Sequence, residues 1–280
     1  TECADYPIEL ASGMALPIAD CRLTGNAPGK DAIHLGLAHG LPENLVLVDA
    51  GVPYLIDAGQ MMTVSGGDSR HSKQLTLQPG VTLSFGLGSS LVVGDPYPGT
   101  LIAAGGGRPI TLKGGGPDPT LGGWLGLRIG PNAGDGTRLT NCRVIRAGGD
   151  GRAGVVIEDS WPVVAQCRIE ECASPGILLI GQNVPVPALL RARNTFAGNA
   201  GEDVTWDPGP GGTLHLDDIM SREEVWAPSG NPHRVRTLLR IRGGSYTPEG
   251  AKTATLRILP GCVVWFEPGA GLTVDSFGDG

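Results

Sequence analysis

One phrase occurs twice in this chain of 280 residues. TLQPGVTLSFGLGSSLVVG, residues 76–94, returns in a closely similar form as RILPGCVVWFEPGAGLTVD, residues 257–275. At an offset of 181 residues the apolar positions coincide, and so do the turn pairs Pro79-Gly80 and Pro260-Gly261. A structural unit of about 180 residues therefore runs once and then begins again.

The repeat also sets the predicted domain organisation. With a small change in loop length, the match extends upstream, where residues 62–67 lie over residues 239–244. We predict an N-terminal cap region over residues 1–50 and a first unit over residues 51–237. Residues 238–280 then form the start of a second unit that continues the same structure.

Short apolar alternations fill the unit. Val81-Leu83-Phe85, Ile110-Leu112 and Leu127-Ile129 each place apolar residues at every second position, and each piece is soon followed by Gly or Pro. This spacing is typical of short β-strands. Glycine (46) and proline (23) make up about a quarter of the chain, while 40% of the residues are hydrophobic. The composition therefore favours an all-β fold of many short strands and turns, and only residues 217–225 could form a short helix.

A second, shorter period indicates that these strands stack. Three segments align at spacings of 25 and 27 residues: NCRVIRAGG (141–149), QCRIEECAS (166–174) and RNTFAGNAG (193–201). Cys142, Cys167 and Asn194 share one column of this alignment. The pieces GVVIED and GILLIG between them are offset by 22 residues. A fixed period of roughly 20 to 30 residues predicts a solenoid.

From residue 75 to about residue 216 the sequence resembles the right-handed parallel β-helix repeats of bacterial cell-surface and secreted proteins, a pectate-lyase-like solenoid fold. The resemblance implies coils of three short strands that stack into parallel sheets around a narrow core. Residues 1–50 do not share the pattern, so we predict that they form an irregular N-terminal cap. Proteins of this type include polysaccharide lyases, glycosidases, adhesins and structural stalks, so the fold alone does not specify the function.

Charge and hydropathy exclude two classes of partner. The net charge of −7 and the isoelectric point near 5.2 argue against nucleic-acid binding, which needs a basic face. No stretch reaches the ~18 consecutive apolar residues that a membrane span requires. The chain begins with Thr1 rather than Met, which we interpret as a processed or excised protein.

The six cysteines bear on the cellular location. An even number is typical of an oxidising compartment, and we predict a disulfide between Cys3 and Cys21, which lie close together in the N-terminal stretch. Buried free thiols are the alternative. The pairing of the other four stays open: Cys142, Cys167, Cys172 and Cys262. We predict a secreted or cell-surface protein.

The candidate binding site lies on outward positions of the stacked coils. The alignment places Arg143 directly beside Arg168 on the next coil, with Glu170 on an adjacent outward position and Asp150 in the following turn. Two stacked arginines can bind the carboxylate of an acidic sugar in bidentate fashion. The alternative is a solvated face with ion pairs between coils.

Catalytic and metal signals are weak. Asp217-Asp218 and Glu170-Glu171 are carboxylate doublets, but adjacent strand residues point to opposite faces and make no ready catalytic pair. The polygalacturonase motifs do not occur in their usual order. The histidines show no zinc-like spacing with cysteines. We assign no catalytic residue, no metal and no cofactor, and we expect Trp265 to be buried beside Phe266.

Together these features predict an extracytoplasmic structural or adhesive β-helix module. Its expected partners are a polysaccharide on the sheet face or a second copy in an end-to-end homo-association. The alternative is a polysaccharide-degrading enzyme, a lyase or glycoside hydrolase, that acts on the outer sheet face.

Overall fold

The computed structural model describes most of the chain up to residue 207 and short segments beyond it. The described residues are 5–10, 23–27, 29–37, 40–115, 122–181, 184–185, 187–207, 213–215, 223–226, 233–235, 238–242, 246–247, 250–251, 255–266 and 268–275. The predicted disulfide cysteines, Cys3 and Cys21, and the doublet Asp217-Asp218 lie outside these residues.

The first part of the chain consists almost entirely of short strands. In chain order they are β1 (Ile8–Leu10), β2 (Ile33–Leu35), β3 (Leu45–Leu47), β4 (Tyr54–Ile56), β5 (Met61–Val64), β6 (Lys73–Leu77), β7 (Thr82–Phe85), β8 (Ser90–Val93), β9 (Gly99–Ala104), β10 (Ile110–Gly114), β11 (Gly126–Ile129), β12 (Arg138–Thr140), β13 (Cys142–Ile145), β14 (Val155–Glu158), β15 (Val163–Ala165), β16 (Arg168–Glu170), β17 (Ile177–Ile180), the helix α1 (Pro187–Arg193), β18 (Thr195–Ala197) and β19 (Val204–Asp207). A 3₁₀ turn, Gly149–Gly151, lies between β13 and β14.

These strands form three parallel sheets. Sheet 1 has the order β1-β2-β4-β7-β10-β13-β16-β18, sheet 2 the order β3-β6-β9-β12-β15, and sheet 3 the order β5-β8-β11-β14-β17-β19. From β3 onward the chain visits sheets 2, 1 and 3 in turn, and this path makes a parallel β-solenoid of about six turns. The all-β solenoid predicted from the sequence is confirmed.

The core is a stack of like positions from successive coils. In β9 buried and half-buried residues alternate strictly, which is the period of two read from the sequence. Leu75 lies opposite Leu45 on one side and Leu101 on the other, and all three side chains are buried. Each inward residue thus packs on its counterpart one coil away, at the strand spacing of ~4.8 Å.

Strands are already present in the region predicted to be a cap. The β2 strand pairs with β4 in sheet 1, and β3 pairs with β6 in sheet 2. Coil pairing therefore begins before residue 50. The proposed domain boundaries at residues 50 and 237 stay predictions.

The sixth coil contains α1 where the earlier coils have a strand of sheet 2. Its sequence, PALLRAR, begins with proline at the first turn and continues with strong helix formers, while Arg191 and Arg193 lie in the last turn, where cations are favoured. Asn194 then closes the helix, because its side-chain amide donates to the carbonyls of Leu190 and Val164. We did not predict this helix.

Further strands are described beyond residue 207. They are β20 (Thr213–His215), β21 (Glu223–Trp226), β22 (His233–Val235), β23 (Leu238–Arg242), β24 (Tyr246–Thr247), β25 (Gly250–Ala251), β26 (Thr255–Ile258), β27 (Val264–Phe266) and β28 (Gly271–Asp275). The strand β21 occupies residues that we considered for a short helix. In the described residues, no strand of this group joins sheets 1 to 3.

Register confirms the internal repeat. In the first unit Met62 pairs with Leu91, and in the second unit Leu239 pairs with Leu272. The sequence alignments match Met62 with Leu239 and Leu91 with Leu272, so the two pairs are equivalent. The repeated phrase therefore forms the same coil twice, as β6-β7-β8 and as β26-β27-β28.

The two copies of this coil differ in what covers them. Phe85 is 0% exposed beneath the next coil, whereas its counterpart Phe266 is 48% exposed; Leu77 is 1% exposed and its counterpart Ile258 is 45% exposed. The prediction that Trp265 is buried was wrong, since the side chain is exposed. Among the described strands, none pairs with the outer edge of β26, β27 or β28, so their apolar side chains remain open to solvent.

Candidate functional site

The outer face of sheet 1 carries a column of side chains in register. Arg143 lies opposite Arg168, with Thr111 on the preceding coil and Thr195 on the following one. The stacking of the two arginines is therefore as the alignment predicted. Because the coils are parallel and in register, the two guanidinium-bearing side chains rise from the same face, one strand spacing apart.

Glu170 holds both arginines. The Nη2 atom of Arg143 donates to its Oε1 at 2.5 Å, and the Nε atom of Arg168 donates to its Oε2. The Glu170 side chain is only 7% exposed, whereas both arginines are about half exposed. Burial alone would raise the pKa of Glu170, but hydrogen bonds and charge from the two arginines lower it below its usual value.

This arrangement leaves a positive surface over a buried carboxylate. Two guanidinium groups share one negative charge, so the cluster keeps a net positive charge. Lys113, on the preceding coil, lies in the column of Ile145 and Glu170 and adds a further cation to the same face. In a protein of net charge −7, this cluster is therefore a local concentration of positive charge.

Asp150 is not brought to this cluster. It lies on the 3₁₀ turn between sheets 1 and 3, with a backbone φ of 55°, and it is exposed. The salt bridges of the described residues do not link it to either arginine. Glu171, next to Glu170, instead accepts from Nε of Arg146 at 2.9 Å.

A groove on sheet 3 was missed by the sequence analysis. Outward residues of four neighbouring strands form its floor, with Arg128 between Val92 and Val156 and with Leu178 beyond. The groove has a volume of about 390 Å³. Arg128 binds Glu158 through Nε at 3.1 Å and Nη2 at 2.5 Å, and it also binds Asp95.

The carboxylates of both faces are already engaged by arginine. A general acid of a glycosidase needs a raised pKa, whereas the pKa of Glu170 is lowered. Asp95 and Glu158 flank the guanidinium of Arg128 rather than an open space. Within the described part of the chain, no group of His, Cys, Asp and Glu side chains could hold a metal ion. These contacts give no residue a catalytic role.

Four described cysteines are free thiols. Cys142, Cys167 and Cys172 are buried in the solenoid core, and Cys262 is partly buried in the second unit. Their burial is that of small apolar residues in a packed interior. The described helices include none that is long and apolar enough to cross a bilayer.

Comparison of the chain with protein-family models, curated proteins and solved structures gave no significant match. The fold is therefore established by the coil geometry alone: the chain is a parallel β-helix. Its function has to be argued from its own surfaces.

Proposed function

We propose that this β-helix is an extracytoplasmic structural or adhesive module that binds an acidic polysaccharide on the outer face of sheet 1. The observation that carries the proposal is the pairing of Arg143 with Arg168 in register over the buried Glu170. The resemblance of the repeats to those of bacterial cell-surface β-helix proteins supports the proposed location.

The geometry suits a repeating anionic ligand. The two guanidinium groups are anchored by Glu170, so less side-chain entropy is lost when they bind a second carboxylate. Arginine forms two parallel hydrogen bonds with a planar carboxylate, which gives orientation as well as attraction. Threonine hydroxyls at positions 111 and 195, in the same column, can bond to sugar hydroxyls.

The rigid scaffold suits a module that displays a surface. Each coil contacts only its neighbours, so the face is lengthened by adding coils without changing its local geometry. The proposed ligand face uses residues from three consecutive coils, at Lys113, Arg143 and Arg168. A polymer lying along the solenoid axis can therefore contact several cations at once.

Binding to a panel of acidic and neutral polysaccharides tests the proposal. We expect the wild-type protein to bind an acidic member, with an affinity that falls as salt is added. Replacing both arginines, Arg143→Ala with Arg168→Ala, should reduce the affinity by at least about tenfold. The matched control is Arg138→Ala, which removes an exposed arginine from sheet 2.

Equal binding by the double variant and the wild type would contradict this site, and so would a preference for neutral polymers. The enzyme alternative is tested in the same panel, with and without calcium, by following new reducing ends and unsaturated products. Depolymerisation of any member would overturn the purely adhesive function.

Self-association through the exposed side of β26, β27 and β28 is a second candidate function. The observation that favours it is the exposure of Ile258, Phe266 and Val274, whose counterparts in the first unit are buried. Exposed apolar residues and unpaired strand edges on a solenoid coil favour contact with another surface. Sedimentation at increasing protein concentration should show a dimer that Phe266→Asp weakens, whereas a constant monomeric mass would exclude this association.

A further inference from the structure

Two core cysteines lie directly beneath the arginine pair. Cys142 and Cys167 immediately precede Arg143 and Arg168, which are register partners in β13 and β16. Because strand residues alternate between faces, the cysteines point into the core at the same level of adjacent coils. They are 1% and 2% exposed.

The two thiols are close enough to affect each other's ionisation. The neighbouring Cys167 thiol, together with burial, raises the pKa of Cys142. The Sγ atom of Cys167 lies 3.3 Å from the carbonyl oxygen of Ala165 and 3.4 Å from that of Leu139. The pair is thus enclosed by backbone and by the neighbouring coil, and both thiols are free.

We propose that Cys142 and Cys167 are an oxidisable pair whose disulfide covalently joins the fourth and fifth coils. Paired residues of adjacent parallel strands have Cα atoms ~4.8 Å apart, which lies inside the range of about 4.4 to 6.8 Å found for disulfides. Both β-carbons lie on the same side of the sheet. The pairing of Arg143 with Arg168 places the two cysteines on neighbouring strands, so the disulfide needs no change of register.

The reaction is a thiol–disulfide exchange with a small disulfide such as oxidised glutathione. One protein thiolate attacks the glutathione disulfide, forms a mixed disulfide and releases one glutathione thiolate. The second protein thiolate attacks the protein sulfur of that mixed disulfide and releases the other glutathione. Two protein thiols lose two electrons and two protons, and one glutathione disulfide gains them. The oxidant reaches the pair before the core closes or when the coils open locally.

The other described cysteines do not have this geometry. The backbone N–H of Cys172 donates to Oδ1 of Asn199 on the next coil at 3.0 Å. The Sγ atom of Cys172 lies near the carbonyl oxygen of Glu170. Cys262 belongs to the second unit. The cross-link is therefore specific to one pair, and it fixes the register of the coils that carry Arg143 and Arg168. This inference does not depend on the proposed polysaccharide binding.

Peptide mapping distinguishes the pairings directly. The full-length protein is refolded in a glutathione redox buffer, its free thiols are alkylated, and the folded fraction is digested with trypsin without reduction. Trypsin places Cys142 in residues 139–143 and Cys167 in residues 153–168, while Cys3 and Cys21 share residues 1–22. We expect a disulfide-linked species that contains the first two peptides and separates on reduction.

The variants give matched controls. Cys172→Ser should retain the linked species, and both Cys142→Ser and Cys167→Ser should lose it. Oxidised wild-type protein should also have a higher melting temperature than reduced protein, because the cross-link restricts the unfolded chain. Recovery of both peptides alkylated at cysteine would overturn the proposal, as would linkage of either one to Cys172 or Cys262. The wild-type map alone decides this point even if a serine variant fails to fold.

Discussion

Phe85 and Trp124 stack face to face in the core, with ring centroids 4.1 Å apart and planes inclined by 7°. Phe85 belongs to the second coil and Trp124 to the third, and the indole Nε1 donates to the carbonyl of Ile145 in the fourth coil at 3.0 Å. One side chain thus connects three consecutive coils. This connection makes the aromatic pair a sensitive probe of the solenoid's stability.

Trp124→Ala should lower the free energy of unfolding by about 3 to 5 kcal/mol, because it leaves a large cavity and removes the hydrogen bond to Ile145. Urea denaturation followed by circular dichroism measures the change. Leu87→Ala is the control, since Leu87 is 72% exposed and its truncation should change stability by no more than ~0.5 kcal/mol. Equal effects of the two substitutions would contradict the proposed role of Trp124.

Asn199 lies in the sixth coil, and its side chain caps a turn of the fifth coil. Its Oδ1 accepts from the Cys172 N–H, and its Nδ2 donates to the Ile169 carbonyl at 3.1 Å. Asn199→Ala should cost about 1 to 3 kcal/mol, because it leaves both backbone groups without this partner. Asn199→Asp keeps the acceptor and loses the donor, so its measured stability should lie between that of the wild type and that of Asn199→Ala. An alanine variant as stable as the wild type would show that water replaces the amide.

Glu170 should make stability depend on acid pH. Its folded-state pKa is lowered by Arg143 and Arg168, so its contribution is present above the unfolded value of ~4.3 and is lost as pH falls through the lower folded value. Thermal melts between pH 7 and pH 3 should therefore show a smaller acid-induced loss in Glu170→Gln than in the wild type. Parallel curves for the two proteins would mean that Glu170 does not supply this dependence.

Two glycines separate steric crowding from backbone strain. Gly94 and Gly88 have similar φ angles of 68° and 70°. A Cβ atom added at Gly94 would lie 2.2 Å from the Ala133 nitrogen, whereas a Cβ atom added at Gly88 would have no neighbouring atom within 4 Å. Both alanine variants carry the cost of a left-handed conformation, about 1 kcal/mol. We expect Gly94→Ala to be much the more destabilising in chemical denaturation, and similar losses would contradict the crowding.

The register of the coils could be predicted because inward columns of like residues record which positions stack. Val144 and Ile169 were aligned from sequence and pair in the structure. Met62 and Leu239 were aligned as repeat equivalents, and they pair with the equivalent residues Leu91 and Leu272. The helix α1 could not be predicted in this way, because it replaces a strand within a coil whose flanking strands still fit the pattern.

The side-chain clusters on the outer faces of sheets 1 and 3 could be predicted only in part. Arg143 and Arg168 were expected to stack and do so, but the role of Glu170 as their shared buried anchor depends on side-chain directions that the alignment does not contain. The groove around Arg128 was missed because its partners, Asp95 and Glu158, come from residues 33 and 30 positions away. Loop lengths decide whether such residues meet, and these lengths vary from coil to coil.

The helix α1 has a mechanical consequence. Sheet 2 ends at β15, while sheets 1 and 3 each continue by one strand, β18 and β19. The sixth coil is therefore bonded to the fifth along two sides rather than three. In an array whose units touch only their neighbours, the junction between the fifth and sixth coils should therefore open before the junctions among the first five coils. The first five coils, including the arginine pair, should stay folded after the sixth coil has opened.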